Sequence, residues 1–155
     1  MLFGRKKRHI NRILVVEDEP LVAFDTEHFL GASGFEIRAT VDSVAAACAA
    51  IEGDDEIDLV LVDINLSDGS GLDVARVAHE RGLPVLLVTG SCPQGAQDFA
   101  AGCLTKPYPQ KDLISAIAAI DAVVAGAKLP RRLPSGFNLF QTTSSAAVID
   151  TPVRF

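Results

Sequence analysis

The chain has 155 residues, 48% of them apolar, which allows one domain with a true core and excludes a wholly disordered or fibrous protein. The formal charge of −6 conceals an asymmetry: from Ile13 to Ala127 there are 19 acidic against 5 basic side chains, a balance of −14, and the remaining basic residues lie at the two ends. An acidic globule repels nucleic acid, so direct DNA binding is not expected, and no apolar run reaches the ~18 residues of a membrane span, the nearest being Leu113 to Ala125, interrupted by Asp121.

Residues 1–11, with Arg5, Lys6, Lys7 and Arg8, read as a basic, flexible N-terminal arm. Leu2 and Phe3 precede the basic run, the wrong order for a secretory signal. Residues 12–125 read as one domain. Short apolar runs at Ile13–Val16, Phe35–Ala39, Leu59–Val62, Val85–Val88 and Cys103–Thr105 alternate with segments of helical period. ILVV, LVLV and VLLV are continuous rather than alternating, as in parallel strands covered on both faces. Pro20 suits the first turn of helix one and Gly34 its end. Val44, Ala47, Cys48 and Ile51 make a stripe behind Asp42 or Ser43 as N-cap, and Leu113, Ile117, Ile120 and Val124 make another in the last helix. Strand–helix alternation repeated five times predicts a doubly wound α/β fold: a five-stranded parallel sheet with helices on both faces.

The three cysteines, Cys48, Cys92 and Cys103, show no metal or disulfide spacing, as in a soluble protein of the reducing cytoplasm; Cys103 and Cys92 read as small core residues, with a redox-sensing role as the alternative. Residues 126–155 read as a partly disordered tail, too short for a separate output domain. Within it Phe137–Phe140 is expected to dock on a hydrophobic surface of this chain or a second copy. Thr142–Ala147 is expected to stay mobile, and the AAVID segment is a candidate for strand addition at a sheet edge.

In an open parallel sheet, ligands gather at the carboxyl ends of the strands. Those ends read Glu17-Asp18, Asp63, Thr89-Gly90 and Lys106-Pro107. Three carboxylates, a hydroxyl and an ammonium thus converge on one edge. Each like-charged pair at ~4 Å costs on the order of 4 kcal/mol at an effective dielectric of ~20, so the cluster needs a cation. Oxygen-only ligands select a hard ion, and a shallow, watered site suits Mg²⁺. One carboxylate can then act as a nucleophile toward phosphorus, with Lys106 and the ion offsetting the charge of the transferring group and Thr89 donating to one of its oxygens.

With these residues in view, ILVVEDEP, LVLVDINLSDGSGLDVA, VLLVTGS and LTKPY resemble, in order and spacing, the receiver domains of two-component response regulators, over roughly residues 12 to 125. The resemblance implies a flavodoxin-like strand order 2-1-3-4-5. It implies Asp63 as phosphoacceptor, Asp18 as a direct Mg²⁺ ligand, Glu17 acting mainly through water, and Asn65 offering its backbone carbonyl to the metal. Thr89 becomes the switch hydroxyl and Lys106 the phosphate-pairing lysine, with the Lys106–Pro107 peptide cis. It further implies a histidine kinase or histidine phosphotransfer protein as phosphoryl donor, an unidentified downstream protein target, a possible homodimer, and no enzymatic role beyond the domain's own phosphorylation and dephosphorylation.

Three features depart from the family's pattern. Cys103 stands where an aromatic residue is usual, three before the lysine; Ser67 replaces a common proline and should loosen its loop; and with no output domain the chain resembles stand-alone receivers. A phosphatase of the haloacid-dehalogenase type would want an Asp where Asn65 stands. The alternative function is a receiver-like binding module that works without phosphorylation, although such modules usually lose one of the acidic or lysine positions kept here.

Overall fold

A computed structural model describes residues 8–140. Eight strands and four α-helices follow in chain order: β1 (Arg12–Val16), α1 (Pro20–Ala32), β2 (Glu36–Val41), α2 (Val44–Gly53), β3 (Leu59–Asp63), β4 (Asn65–Leu66), β5 (Gly69–Ser70), α3 (Gly71–Glu80), β6 (Val85–Thr89), β7 (Gly102–Thr105), α4 (Gln110–Ala125) and β8 (Phe137–Leu139). The main sheet has the order β2-β1-β3-β6-β7-β8; its first five strands run parallel, while β8 lies antiparallel on β7. The expected five-stranded parallel order is therefore present, in a flavodoxin-like fold, with a sixth strand added at its edge.

Period-two alternation along buried strands gives the sheet two cores. Ile13, Val15, Leu59, Leu61, Leu86 and Val88 face α1 and α4, where Leu30, Leu113, Ile117 and Ile120 meet them. Leu14, Val16, Val60, Val62 and Leu87 face α2 and α3, against Ala47, Ile51, Val74, Ala75 and Ala78. Pro20 occupies the first turn of α1, and Gly34, at φ +98°, turns the chain after it. Of the two candidate caps of α2, Ser43 serves: its hydroxyl accepts from the Ala46 amide at 3.0 Å.

Three expectations need correction, and a fourth, the docking of Phe137–Phe140, is met in a definite form. There is no α-helix between β6 and β7; the span holds only a 3₁₀ turn at Ala96–Asp98, because Pro93 and the left-handed Gly95 break the run and few residues separate the strands. Cys92 and Cys103 are not independent core residues but a disulfide, their Cα atoms 6.3 Å apart. The Phe137–Phe140 clump does dock on this chain, and it does so as a strand: Cys103 pairs with Asn138 and Leu104 with Phe137. Residues 8–11 of the expected flexible arm are held. The Asp121 carboxylate accepts from the His9 and Ile10 amides at 2.9 and 2.8 Å, Ile10 is buried, and the Arg8 guanidinium lies 4.2 Å from the Phe35 ring centre. Thr142–Ala147 and AAVID lie outside the described residues. Among the described residues no helix is long and apolar enough to cross a membrane.

Candidate functional site

The carboxyl ends of β1, β3, β6 and β7 form the site. Because β1 and β3 pair as Val16 to Val62, the residues that follow, Glu17 and Asp63, emerge side by side. One carboxylate oxygen from each of Glu17, Asp18 and Asp63 lies within 4.8 Å of the others. Glu17 and Asp63 are each only 7% exposed. Asp63 accepts from the Asn65 amide through Oδ1 at 3.1 Å, and its Oδ2 lies 3.4 Å from Lys106 Nζ, which is also 3.8 Å from Glu17 Oε1. Lys106 is aimed from the end of β7 through a cis Lys106–Pro107 peptide, and its amide donates to the Thr89 carbonyl at 2.8 Å. Thr89 is buried, and its hydroxyl exchanges hydrogen bonds with the backbone of Ser91 in its own loop, at 3.2 and 3.3 Å.

The electrostatics are those of an acidic cluster partly answered by one ammonium. Burial drives the Glu17 carboxyl up to about 7 against the pull of the Glu19 amide, and Asp63 raises it further while Lys106 lowers it. Negative charge this crowded favours a divalent cation, and the donor set fits one: three oxygens within reach of each other, no imidazole or thiolate, and an open side toward solvent at Asp18. Asp18 and Asp63, with Glu17 beside them, would hold it.

Every residue picked out from the sequence reaches this edge, but some neighbours were not foreseen. Gly71 opens α3 directly against the acceptor strand: a Cβ there would run into the Asp63 carbonyl and approach Ile64 Cα to 2.9 Å. The DGSG stretch after Asp63 carried that signal. The loop containing Ser67 is not loose. It is a short hairpin of β4 on β5, and its Asp68 carboxylate accepts from the Val44 and Ala45 amides at 2.8 and 3.2 Å, tying it to the start of α2. Those amides hold the Asp68 carboxyl below its usual range. Tyr108 lines the narrow space beneath Glu17 and Asp63, and burial, then Glu17 and Asp63, push its phenol up.

A flavodoxin-like sheet with an acidic trio, a lysine and a hydroxyl at its carboxyl edge is the architecture of a signalling receiver. Comparison with known proteins bears this out. The model of the response regulator receiver domain matches residues 13–118, and the chain belongs to that family. It is 34% identical to the response regulator protein PmrA of Pseudomonas aeruginosa, over 92% of this chain and 69% of that one. It is 31% identical to the cell cycle transcriptional regulator CtrA of Caulobacter vibrioides, over 70% of this chain and 49% of that one. Against several curated relatives of this kind the chain spans about half their length. Among solved structures, a CheY-like receiver domain from Methanospirillum hungatei superposes with a TM-score of 0.64 at 28% identity, over 70% of this chain and 91% of that one. The response regulator TrrA of Thermotoga maritima, solved with Mg²⁺ and BeF, gives 0.65 at 25% identity, over 71% and 98%.

Proposed function

We propose that the domain accepts a phosphoryl group on Asp63 from a phosphohistidine of a histidine kinase or phosphotransfer protein, in a Mg²⁺-dependent reaction, and passes the signal on through contacts with another protein. The observation that carries this reading is the position of Lys106 Nζ, 3.4 Å from Asp63 Oδ2 and 3.8 Å from Glu17, beside the clustered carboxylates. An Asp63 oxygen bonds to phosphorus as the P–N bond of the phosphohistidine breaks, and the imidazole leaves with the electron pair. Lys106 donates to the oxygens of the arriving group, and Thr89 turns from Ser91 to do the same. Asp18 and Asp63, with Glu17 and the Asn65 carbonyl beside them, would hold Mg²⁺, which would supply further neutralisation of charge.

The acidic domain surface supports protein rather than DNA as the partner of this domain. The cytoplasm, where histidine kinases present their phosphohistidine, is the proposed location, and a role as a general enzyme is not proposed. Incubation with Mg²⁺ and acetyl phosphate should add one hydroxylamine-labile phosphoryl group, seen by intact mass. Asp63→Asn should abolish it, and Asp18→Asn should lower the rate steeply. Phosphate on Ser, Thr or His of the wild type, or none under any condition, overturns the reading in favour of a binding module that works unphosphorylated.

A further inference from the structure

We propose that Cys92 and Cys103 form a thiol–disulfide modification site that, when oxidised, clamps the Thr89 loop to the Lys106 strand and, when reduced, releases it. Cys92 lies three residues after Thr89, and Cys103 lies three residues before Lys106. The bond therefore joins the two arms of the site at matched distances from the two side chains that must follow a new phosphoryl group. It forms on the α3 face of the sheet, in the cluster where Ala96 of the 3₁₀ turn, Ala100 and, partly buried, Phe99 and Phe140 pack. A third element reaches it too: Asn138 of β8 pairs with Cys103 and points its Nδ2 at Cys92 Sγ, 3.8 Å away.

The pair is built for exchange from one side. Cys103 is fully buried while Cys92 is half-exposed in its loop, so an incoming thiolate reaches the Cys92 sulfur and Cys103 departs. With glutathione as the reductant, a first thiolate bonds to Cys92, the S–S bond breaks, and the Cys103 sulfur takes the electron pair and a proton. A second glutathione then attacks the mixed disulfide, leaving two protein thiols and glutathione disulfide; oxidation is the reverse, and atoms, protons and electrons balance. In a reducing compartment such a bond is open at rest and closes under oxidant. Cys48 takes no part. Burial, then Glu52, Asp73 and Asp68, push its thiol up, and it has no disulfide partner among the described residues.

Thr89's hydroxyl is committed to Ser91, one residue before Cys92, and rearrangement of that loop is what would free it for Asp63. Oxidation should therefore oppose the phosphorylated arrangement, an effect limited to the difference in loop freedom between the two states. This readout rests on the phosphoacceptor reading, so two measurements are needed. In the full chain equilibrated with glutathione disulfide, then acid-quenched, unfolded and alkylated, Cys92 and Cys103 should be protected together and Cys48 modified. Hydrogen exchange in residues 90–101 should quicken on reduction. The initial rate of phosphorylation by acetyl phosphate with Mg²⁺ should rise at least about threefold on reduction. That response should be absent in Cys92→Ser and retained in Cys48→Ser. A pair never protected, or exchange unchanged by reduction, overturns the proposal, and so do equal rates in the two redox forms. If neither form is phosphorylated, the receiver reading fails, while protection and exchange still decide the redox one.

Discussion

On the β1–β2–β3 side of the sheet each strand leads into an α-helix, β3 by way of the β4–β5 hairpin, and the ends are tied by carboxylates. Asp58 accepts from the Asn11 and Arg12 amides at 2.9 and 2.8 Å, and Asp68 accepts from the first amides of α2. On the β6–β7–β8 side one helix is reduced to a 3₁₀ turn, and the sheet is completed by a strand from beyond α4 and by a disulfide. The acidic half of the site sits on the first side, while Thr89 and Lys106, which in the proposed function would follow a phosphoryl group, sit on the second. The two flanks thus differ in what covers and ties them: helices and carboxylate–amide bonds on one, a 3₁₀ turn, an added strand and a disulfide on the other.

The largest test of that contrast is Phe137. It is 6% exposed, packs in the same core as Leu113 and Ile117, and its Cε1 lies 2.6 Å from where a Cβ on Gly102 would stand. Only glycine at position 102 lets this ring lie on β7. Phe137→Ala should cost about 3–5 kcal/mol in urea unfolding, comparable with Leu14→Ala in the centre of the sheet. A loss below about 1 kcal/mol would mean that β8 is an appendage outside the cooperative unit.

A smaller effect is expected on the acidic side. Gly71→Ala forces a Cβ against the Asp63 carbonyl, and backbone cannot yield as a side-chain tip does. Stability should fall by about 1–3 kcal/mol. The phosphorylation rate should fall as well, because the acceptor strand end shifts. If stability fell and the rate held, the close approach would serve packing alone.

How much of this was legible in the sequence follows the same division. Glu17-Asp18, Asp63 and Thr89 follow runs of continuous apolar residues and Lys106 follows the shorter Cys103–Thr105 segment, so period and position sufficed to bring them to one edge, and the parallel order came with them. What lay hidden depends on distant pairing or on local strain. Cys92 and Cys103 have ordinary spacing, and only the register of β6 on β7 and the fold of the intervening turn bring their sulfurs together. The missing helix was concealed because Pro93 and Gly95 occur among residues compatible with one. The three-residue strand β8 has too little pattern to be read without the exposed edge of β7 and the flat Gly102 that receives it.

The smallest effect expected separates the flanks by pH. Burial alone would raise the Asp58 carboxyl, but the Asn11 and Arg12 amides and the Arg12 side chain outweigh it, and its pKa in the folded chain lies below the usual value of 3.8. The unfolded chain therefore takes up a proton first as pH falls. The stability Asp58 contributes is complete above about 3.8 and is lost as pH drops through the lower folded value. Asp58→Asn keeps an acceptor oxygen but loses the charge, so at pH 5–7 it should lower stability by about 1 kcal/mol, the difference between a charge-assisted and a neutral hydrogen bond. The gap between wild type and variant should stay constant across that range and close as acid protonates the wild-type carboxylate. Phe137→Ala, which removes no titrating group, should show a gap that does not change with pH. If the Asp58→Asn gap were equally flat into acid, the strand-end hydrogen bonds would owe nothing to charge, and the two flanks would differ in shape but not in the forces that hold them.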